Sequence, residues 1–415
     1  MSETVTRIEI DGAALLDRLR RLGEIGALEG GGVCRLALTD ADKAGRDWLV
    51  GEMRALGMAV SIDMIGNIWG VRAGAEEGPP VMLGSHIDSV ATGGLYDGAL
   101  GVLAGLEIAA ALERAGLRTR WPLAVAAFTN EEGARFAPDM MGSGVHQGAL
   151  SLDAMLSVVG VDGAVLGDEL RRIGYAGDIP PRSLTPRAYL ELHIEQGPVL
   201  EQAGARIGVV TGVQGISWTE VIFEGQSNHA GTTPIALRRD AGLAAARLAV
   251  EARAIADEAG PPQVATVGAI ALSPGLVNVV AERATMTVDL RHTDDAALEA
   301  AEARLAEAAA VIAAAEGCRV KLRSLARFAP VAFDPALVDA VEAAARARGL
   351  FCRRMPSGAG HDAQMFAPNC PTAMVFVPSV GGLSHNVAEH TEPEDLIAGA
   401  QVALDVVLPL LEPLP

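Results

Sequence analysis

The sequence predicts an α/β protein: a mostly parallel sheet flanked by helices, with a smaller α+β domain inserted into it. Three observations carry that reading. Short apolar runs, VML (81–83), WPLAVAAF (121–128) and YLELHI (189–194), alternate with stretches of helical periodicity, the pattern of βαβ units. From residue 213 the order becomes strand, helix, strand, strand, helix, strand, as in a split-βαβ unit. After Phe328 the first style resumes. The expected division is one discontinuous domain, 1–212 with 328–415, and an inserted domain, 213–327.

The elements follow in order. Asp11–Ile25 and Ala41–Leu56 carry apolar residues at helical spacing, with Thr39-Asp40 as the N-cap of the second. Two short strands, Ala59–Met64 and Ile68–Val71, are joined at Gly66-Asn67. The strand opening at Val81 ends in His86 and Asp88. Residues at i and i+2 share a face of an extended chain, so imidazole and carboxylate can meet there. A glycine-bearing loop then leads to Asp97, at the mouth of a helix reaching Ala115. The strand Trp121–Phe128 is followed by Thr129, Asn130, Glu131 and Glu132. Residues 139–187 read as mixed helix and loop. Tyr189–Ile194 is a strand holding His193, and Gly197-Pro198 starts a short helix. In the insertion, Ile216–Glu224, Val264–Leu272, Ala284–Arg291 and Arg319–Leu325 are strands, and Arg239–Ala259 and Asp295–Glu316 are helices. The chain closes with helix Pro335–Arg348, strands Phe351–Met355 and Thr372–Pro378, and helix Glu394–Leu411.

Composition narrows the function classes. Of 415 residues, 33 are basic and 52 acidic, a net charge of −19 that argues against nucleic acid or an anionic membrane surface as partner. Only Lys43 and Lys321 are lysines, so an anionic substrate must be met by arginine. Cys34, Cys318, Cys352 and Cys370 are scattered and match neither a zinc knuckle nor a disulfide framework. The N-terminal MSETVTRIEI lacks the charged and apolar regions of a secretory signal. No charge-free apolar run approaches the roughly 18 residues of a membrane span. A cytoplasmic protein is the expectation.

Open α/β sheets place their chemistry at the carboxyl ends of strands. His86 with Asp88 and Asp97 at one strand end fits a metal site, and equally a capped loop with a satisfied histidine. Glu131-Glu132 at the next strand end fits a solvated helix start, or a pair dividing labour between ligand and proton acceptor. His193 ends a third strand, and His385 follows the last strand after Gly381-Gly382. Alone, each histidine is more often structural. Together, His86, Asp97, Glu132, His193 and His385 form a set of nitrogen and oxygen donors without thiolate, which suits Zn²⁺, Mn²⁺ or Co²⁺. Five ligands exceed one tetrahedral site. A carboxylate bridging two ions about 3.5–4 Å apart fits the count. No H-E-x-x-H, G-x-S-x-G, phosphate loop or G-x-G-x-x-G occurs.

These segments resemble the metal-dependent amidohydrolases of the M20 peptidase clan. The branch most similar is that of N-carbamoyl-L-amino acid hydrolases, allantoate amidohydrolases and β-ureidopropionases. The resemblance lies in GSHIDSVATGGLYDGALGVLAGLE (84–107), TNEEGARF (129–136), MMGSGVHQGAL (140–150), LELHIEQGPVLE (190–201), HAGTTPIALRRDA (229–241), SGAGHDAQ (357–364) and GGLSHNVAEHT (381–391). It implies two divalent ions per subunit: His86 and His193 on one, Glu132 and His385 on the other, Asp97 bridging. Asp88 would hold the tautomer of His86 from outside the ligand set. Glu131 would be the general base. The insertion would be a lid and dimerisation domain, and the protein a homodimer. His229 resembles the histidine that stabilises the developing oxyanion, and Asn278 and Arg291 the residues that hold a substrate carboxylate. Gln214, Gly360 and His361 are further candidates for the substrate site.

The implied reaction is hydrolysis of the linear C–N amide of an N-carbamoyl-L-amino acid to amino acid, ammonia and carbon dioxide. Allantoate, β-ureidopropionate or another N-acyl amino acid are alternative substrates. A ligand-binding relative without catalysis is a more distant alternative, which has no need of Glu131. His146-Gln147 departs from the apolar and small pair expected there. It reads as a helix-surface difference or as an altered pocket.

Overall fold

The computed structural model describes residues 8–414. The strands are β1 (Ala59–Ile62), β2 (Ile68–Arg72), β3 (Val81–His86), β4 (Leu123–Phe128), β5 (Ala188–Ile194), β6 (Ile207–Val213), β7 (Gly215–Glu224), β8 (Asn228–His229), β9 (Val264–Ser273), β10 (Val279–Val280), β11 (Arg283–His292), β12 (Arg319–Phe328), β13 (Val331–Ala332), β14 (Cys352–Ser357) and β15 (Thr372–Val377). The chain divides into two compact units. One takes the chain up to Thr211 and from Ala332 onward, and the other is Gly212–Val331.

In the first unit the sheet runs β1-β2-β4-β3-β5-β15-β6, with β13 and β14 also joining at β6. The four central strands, β4, β3, β5 and β15, are mutually parallel, and β2 and β6 flank them antiparallel. Every residue of β3, β4, β5 and β15 is buried, as strands covered on both faces require. The helix Ala99–Arg114 is buried almost all round, which explains its weak amphipathic pattern. By contrast Gly12–Gly23 is amphipathic. It is capped by the Asp11 side chain accepting from the Ala14 amide, and it buries only Leu15, Leu19, Leu22 and Gly23.

Because the central strands are parallel, their C-terminal ends share one edge. His86 ends β3 opposite Phe128 of β4, and His193 stands opposite Phe376 of β15. Leu83 pairs with Leu190 across β3 and β5, a register that carries His86 level with His193 three residues on.

The second unit is a four-stranded antiparallel sheet in the order β12-β7-β11-β9. The helices Ala241–Ala259 and Asp295–Ala315 close a core around Phe223, Leu248, Met286 and Leu305. A separate two-stranded ribbon pairs β8 with β10. This unit ends at Val331, just beyond β12, which continues to Phe328.

Some features differ from the sequence reading. β6 was not expected, since Gly208 and Gly212 interrupt its apolar run. The 139–187 segment is mixed helix and loop as expected, with helices Met141–Gln147, Leu152–Leu156 and Leu166–Ile173. His146 is 1% exposed, which overturns its placement on a helix surface. Its ring packs among Trp69, Phe128 and Phe366, and its Nε2 lies 2.9 Å from the Leu184 carbonyl.

Candidate metal centre

The four strand ends and the loops after them deliver their polar residues to one cluster, buried at His86, Asp97 and His193 and open to solvent at His385. The Nδ1 of His86 lies 2.9 Å from the carbonyl of Asp88, and the Nδ1 of His193 lies 2.9 Å from that of Ile194. A carbonyl only accepts, so Nδ1 carries a proton in each ring and Nε2 is the atom turned toward the cluster. Both Nε2 atoms face one oxygen of Asp97: Oδ1 is 3.5 Å from His86 and 3.2 Å from His193. The other oxygen, Oδ2, is 3.3 Å from Nε2 of His385, which is itself 3.3 Å from Oε2 of Glu132. Two groups result, His86–Asp97–His193 and Asp97–Glu132–His385, whose ligand atoms lie within 4.8 Å of one another in each. Asp97 belongs to both.

Asp97 occupies the turn between β3 and the helix beginning at Ala99. Its Oδ2 accepts from Gln196 Nε2 at 2.8 Å and from Ser384 Oγ at 3.1 Å. Glu131 and Glu132 follow β4, and Oε2 of Glu131 lies 3.3 Å from His86 Nε2. Asp88 corrects one expectation. Its backbone carbonyl, not its carboxylate, orients His86. The carboxylate accepts instead from the amides of Glu131 and Glu132, both at 3.3 Å, and so fixes the backbone of the acidic pair.

The electrostatics are those of crowded carboxylates facing histidines. Burial pushes Glu131 well above the usual carboxylate range, and the nearby charges of Asp362, Glu132 and Asp97 push it further. Burial and Asp97 raise Glu132 to about 7. Burial also opposes the charge on Asp97, but hydrogen bonds from His193, His385 and His86 outweigh it and hold Asp97 well below its ordinary value. The hydrogen bond to Asp97 lifts His385 to about 9. Such a set of acids and imidazoles, gathered at a shared edge, has the donor chemistry of a divalent-cation site.

The remaining candidates fall into two places. His361 is buried behind His193, with ring centroids 4.5 Å apart and Nε2 2.9 Å from Ser357 Oγ. It forms a further acid–histidine group with Glu191 and His193. Gly360 precedes it against the Met140 side chain. Gln214, His229, Asn278 and Arg291 belong to the second unit. The Nδ1 of His229 accepts from the amides of Gly231 and Thr232, which leaves the proton on Nε2. Ribbon pairing brings Asn278 beside it, with the Ala230 amide donating to the Asn278 carbonyl at 2.9 Å. Arg291 grips Asp289 two residues back, Nη2 to Oδ2 at 2.8 Å. Gln214 donates to the Pro262 carbonyl at 3.3 Å.

Sequence reading missed Gln196, Ser384 and Glu389. All three sit in loops, where no periodicity marks a polar residue as buried.

The fold and this site define a metal-dependent hydrolase family. The chain matches the model of peptidase family M20/M25/M40 over residues 82–408 and belongs to that family. Among its relatives is an N-carbamoyl-L-amino-acid amidohydrolase of Rhizobium meliloti, 41% identical over 96% of both chains. The corresponding protein of Geobacillus stearothermophilus is 38% identical over 97% of this chain and 99% of its own. The structure of a hydantoinase/carbamoylase family amidase from Burkholderia multivorans superposes with a TM-score of 0.94 at 48% identity, covering 97% of this chain and 98% of that one.

Proposed function

We propose that this protein hydrolyses the linear C–N amide of N-carbamoyl-L-amino acids, releasing the amino acid, ammonia and carbon dioxide. The observation that carries the reading is the division of the Asp97 carboxylate, Oδ1 toward His86 and His193 and Oδ2 toward His385. That arrangement favours two ions held by one shared acid, with His86 and His193 on one and Glu132 and His385 on the other. Zn²⁺, Mn²⁺ and Co²⁺ all suit these donors. When bound, such ions polarise a carbonyl oxygen and make a nearby water more acidic.

The chain's own groups supply the proton chemistry. Glu131 is the general base: it takes a proton from the attacking water and passes it to the leaving nitrogen. Its burial among carboxylates favours the protonated intermediate state that this transfer needs. Asp88 steadies the Glu131 backbone. The Nε2–H of His229 is a donor for the oxyanion that develops at the scissile carbon. Arg291, with Asn278, binds the substrate carboxylate, because a guanidinium fork matches a carboxylate bidentately. Gln214, Gly360 and His361 line the substrate site. The second unit serves as lid and dimerisation domain of a cytoplasmic homodimer.

A substrate panel tests the reading. Ammonia release is measured on carbamoyl-L- and carbamoyl-D-amino acids, allantoate, β-ureidopropionate and N-acyl amino acids, with and without chelator. The L-carbamoyl compounds are the expected substrates, with activity lost on chelation and restored by Zn²⁺, Mn²⁺ or Co²⁺. Activity that survives metal stripping would refute the mechanism, and preference for allantoate would change the substrate.

A further inference from the structure

Glu389 is 5% exposed and lies in the loop that carries His385. Its carboxylate does not reach the two donor groups described above. Oε1 accepts from the amides of Tyr96 at 3.0 Å and Asp97 at 3.2 Å, and Oε2 lies 3.0 Å from Ser384 Oγ. Ser384 Oγ also lies 3.1 Å from Oδ2 of Asp97. The seat is closely fitted, since a Cβ on Gly94 would overlap the Glu389 carboxyl. One side chain therefore ties the Asp97 turn to the loop bearing His385.

The two halves of the centre differ in how they are held. His86 and His193 sit on buried strands and are oriented by carbonyls close by in their own chain segments. His385 sits on a loop, its side chain about half exposed, with a φ of 53° that a non-glycine residue keeps only when its surroundings impose it.

We propose that Glu389 is a positioning residue that sets the His385 half of the centre by locking its loop onto the Asp97 turn. The inference rests on the two-ion reading above. A residue that merely supported the fold would weaken both ions together, whereas this link acts chiefly through Ser384 on Oδ2, the Asp97 oxygen that faces His385.

The test is Zn²⁺ titration of chelator-stripped, full-length protein against a chromophoric competitor, for wild type, Glu389→Ala, Glu389→Gln and Ser384→Ala. Wild type is expected to take two ions. In Glu389→Ala one ion keeps its affinity within about threefold and the other weakens by about 10- to 100-fold, the usual effect of removing a partner behind a ligand. In Glu389→Gln the amide oxygen still accepts from both backbone amides, and its NH₂ can donate to Ser384. The second ion is therefore largely restored. Ser384→Ala, which cuts the link from Glu389 to Asp97 Oδ2 but keeps both backbone amides on Oε1, weakens the same ion and decides the matter should Glu389→Ala not fold. Two ions bound by Glu389→Ala and Ser384→Ala as tightly as by wild type overturn the proposal. Equal weakening of both ions, or a Gln variant no better than Ala, also overturns it. A wild type that takes only one ion overturns the two-ion reading itself, and this inference with it.

Discussion

Gly98 gives up its side-chain space to the His86 ring: a Cβ built on Gly98 would overlap Nε2, Cδ2 and Cε1 of that imidazole. Its φ of 65° is also a left-handed conformation that L side chains rarely adopt. Gly98→Ala is therefore expected to be strained by about 1–2 kcal/mol and to push His86 off the cluster. Metal analysis and thermal unfolding should show reduced metal content and a lower midpoint. Normal metal content would mean that the Asp97 turn adapts.

Glu131→Gln keeps the shape of the base and removes its proton affinity. The expected outcome is a loss of about 10²- to 10⁴-fold in kcat with metal content unchanged. If the variant instead loses metal, Glu131 is a ligand.

Metal binding should release protons near neutral pH. Without metal, His385 holds a proton up to about pH 9 and Glu132 titrates at about 7. Each must be deprotonated to bind a cation, so affinity falls as pH drops below these values. Calorimetric titration at pH 7.5 in buffers of different ionisation enthalpy is expected to give about one to two protons released. A heat independent of buffer would contradict this.

Arg291→Ala removes a charged fork from the second unit. With carboxylate substrates KM is expected to rise by about 10- to 100-fold, the worth of a charge-assisted hydrogen bond, with a smaller effect on kcat. An unchanged KM would remove Arg291 from substrate binding. In the structure its guanidinium grips Asp289, so substrate binding must compete with that pair.

Strand ends were the most legible part of the site. β3, β4, β5 and β15 are continuous apolar runs, and in a parallel sheet such runs force His86, Glu131-Glu132 and His193 onto one edge. What the pattern could not hold was detail set by tertiary contact. That Asp88 uses its carbonyl on His86 and its carboxylate on two amides depends on how the loops after β3 and β4 meet. The β8–β10 ribbon pairs only two residues a side, too few to show a period. His146 looked like a surface or pocket residue because a histidine among glycines has no apolar signature, yet aromatic rings enclose it.

The order of the candidate ligands along the chain has a consequence for biosynthesis. His86, Asp97, Glu132 and His193 all precede the second unit, while His385 follows it. His86, Asp97, Glu132 and His193 are thus synthesised well before His385. At about 5–20 residues per second, translation of the intervening segment takes some seconds to tens of seconds. On the two-ion proposal, full loading therefore waits until the inserted unit has been made, and a chain stalled within that unit would lack His385.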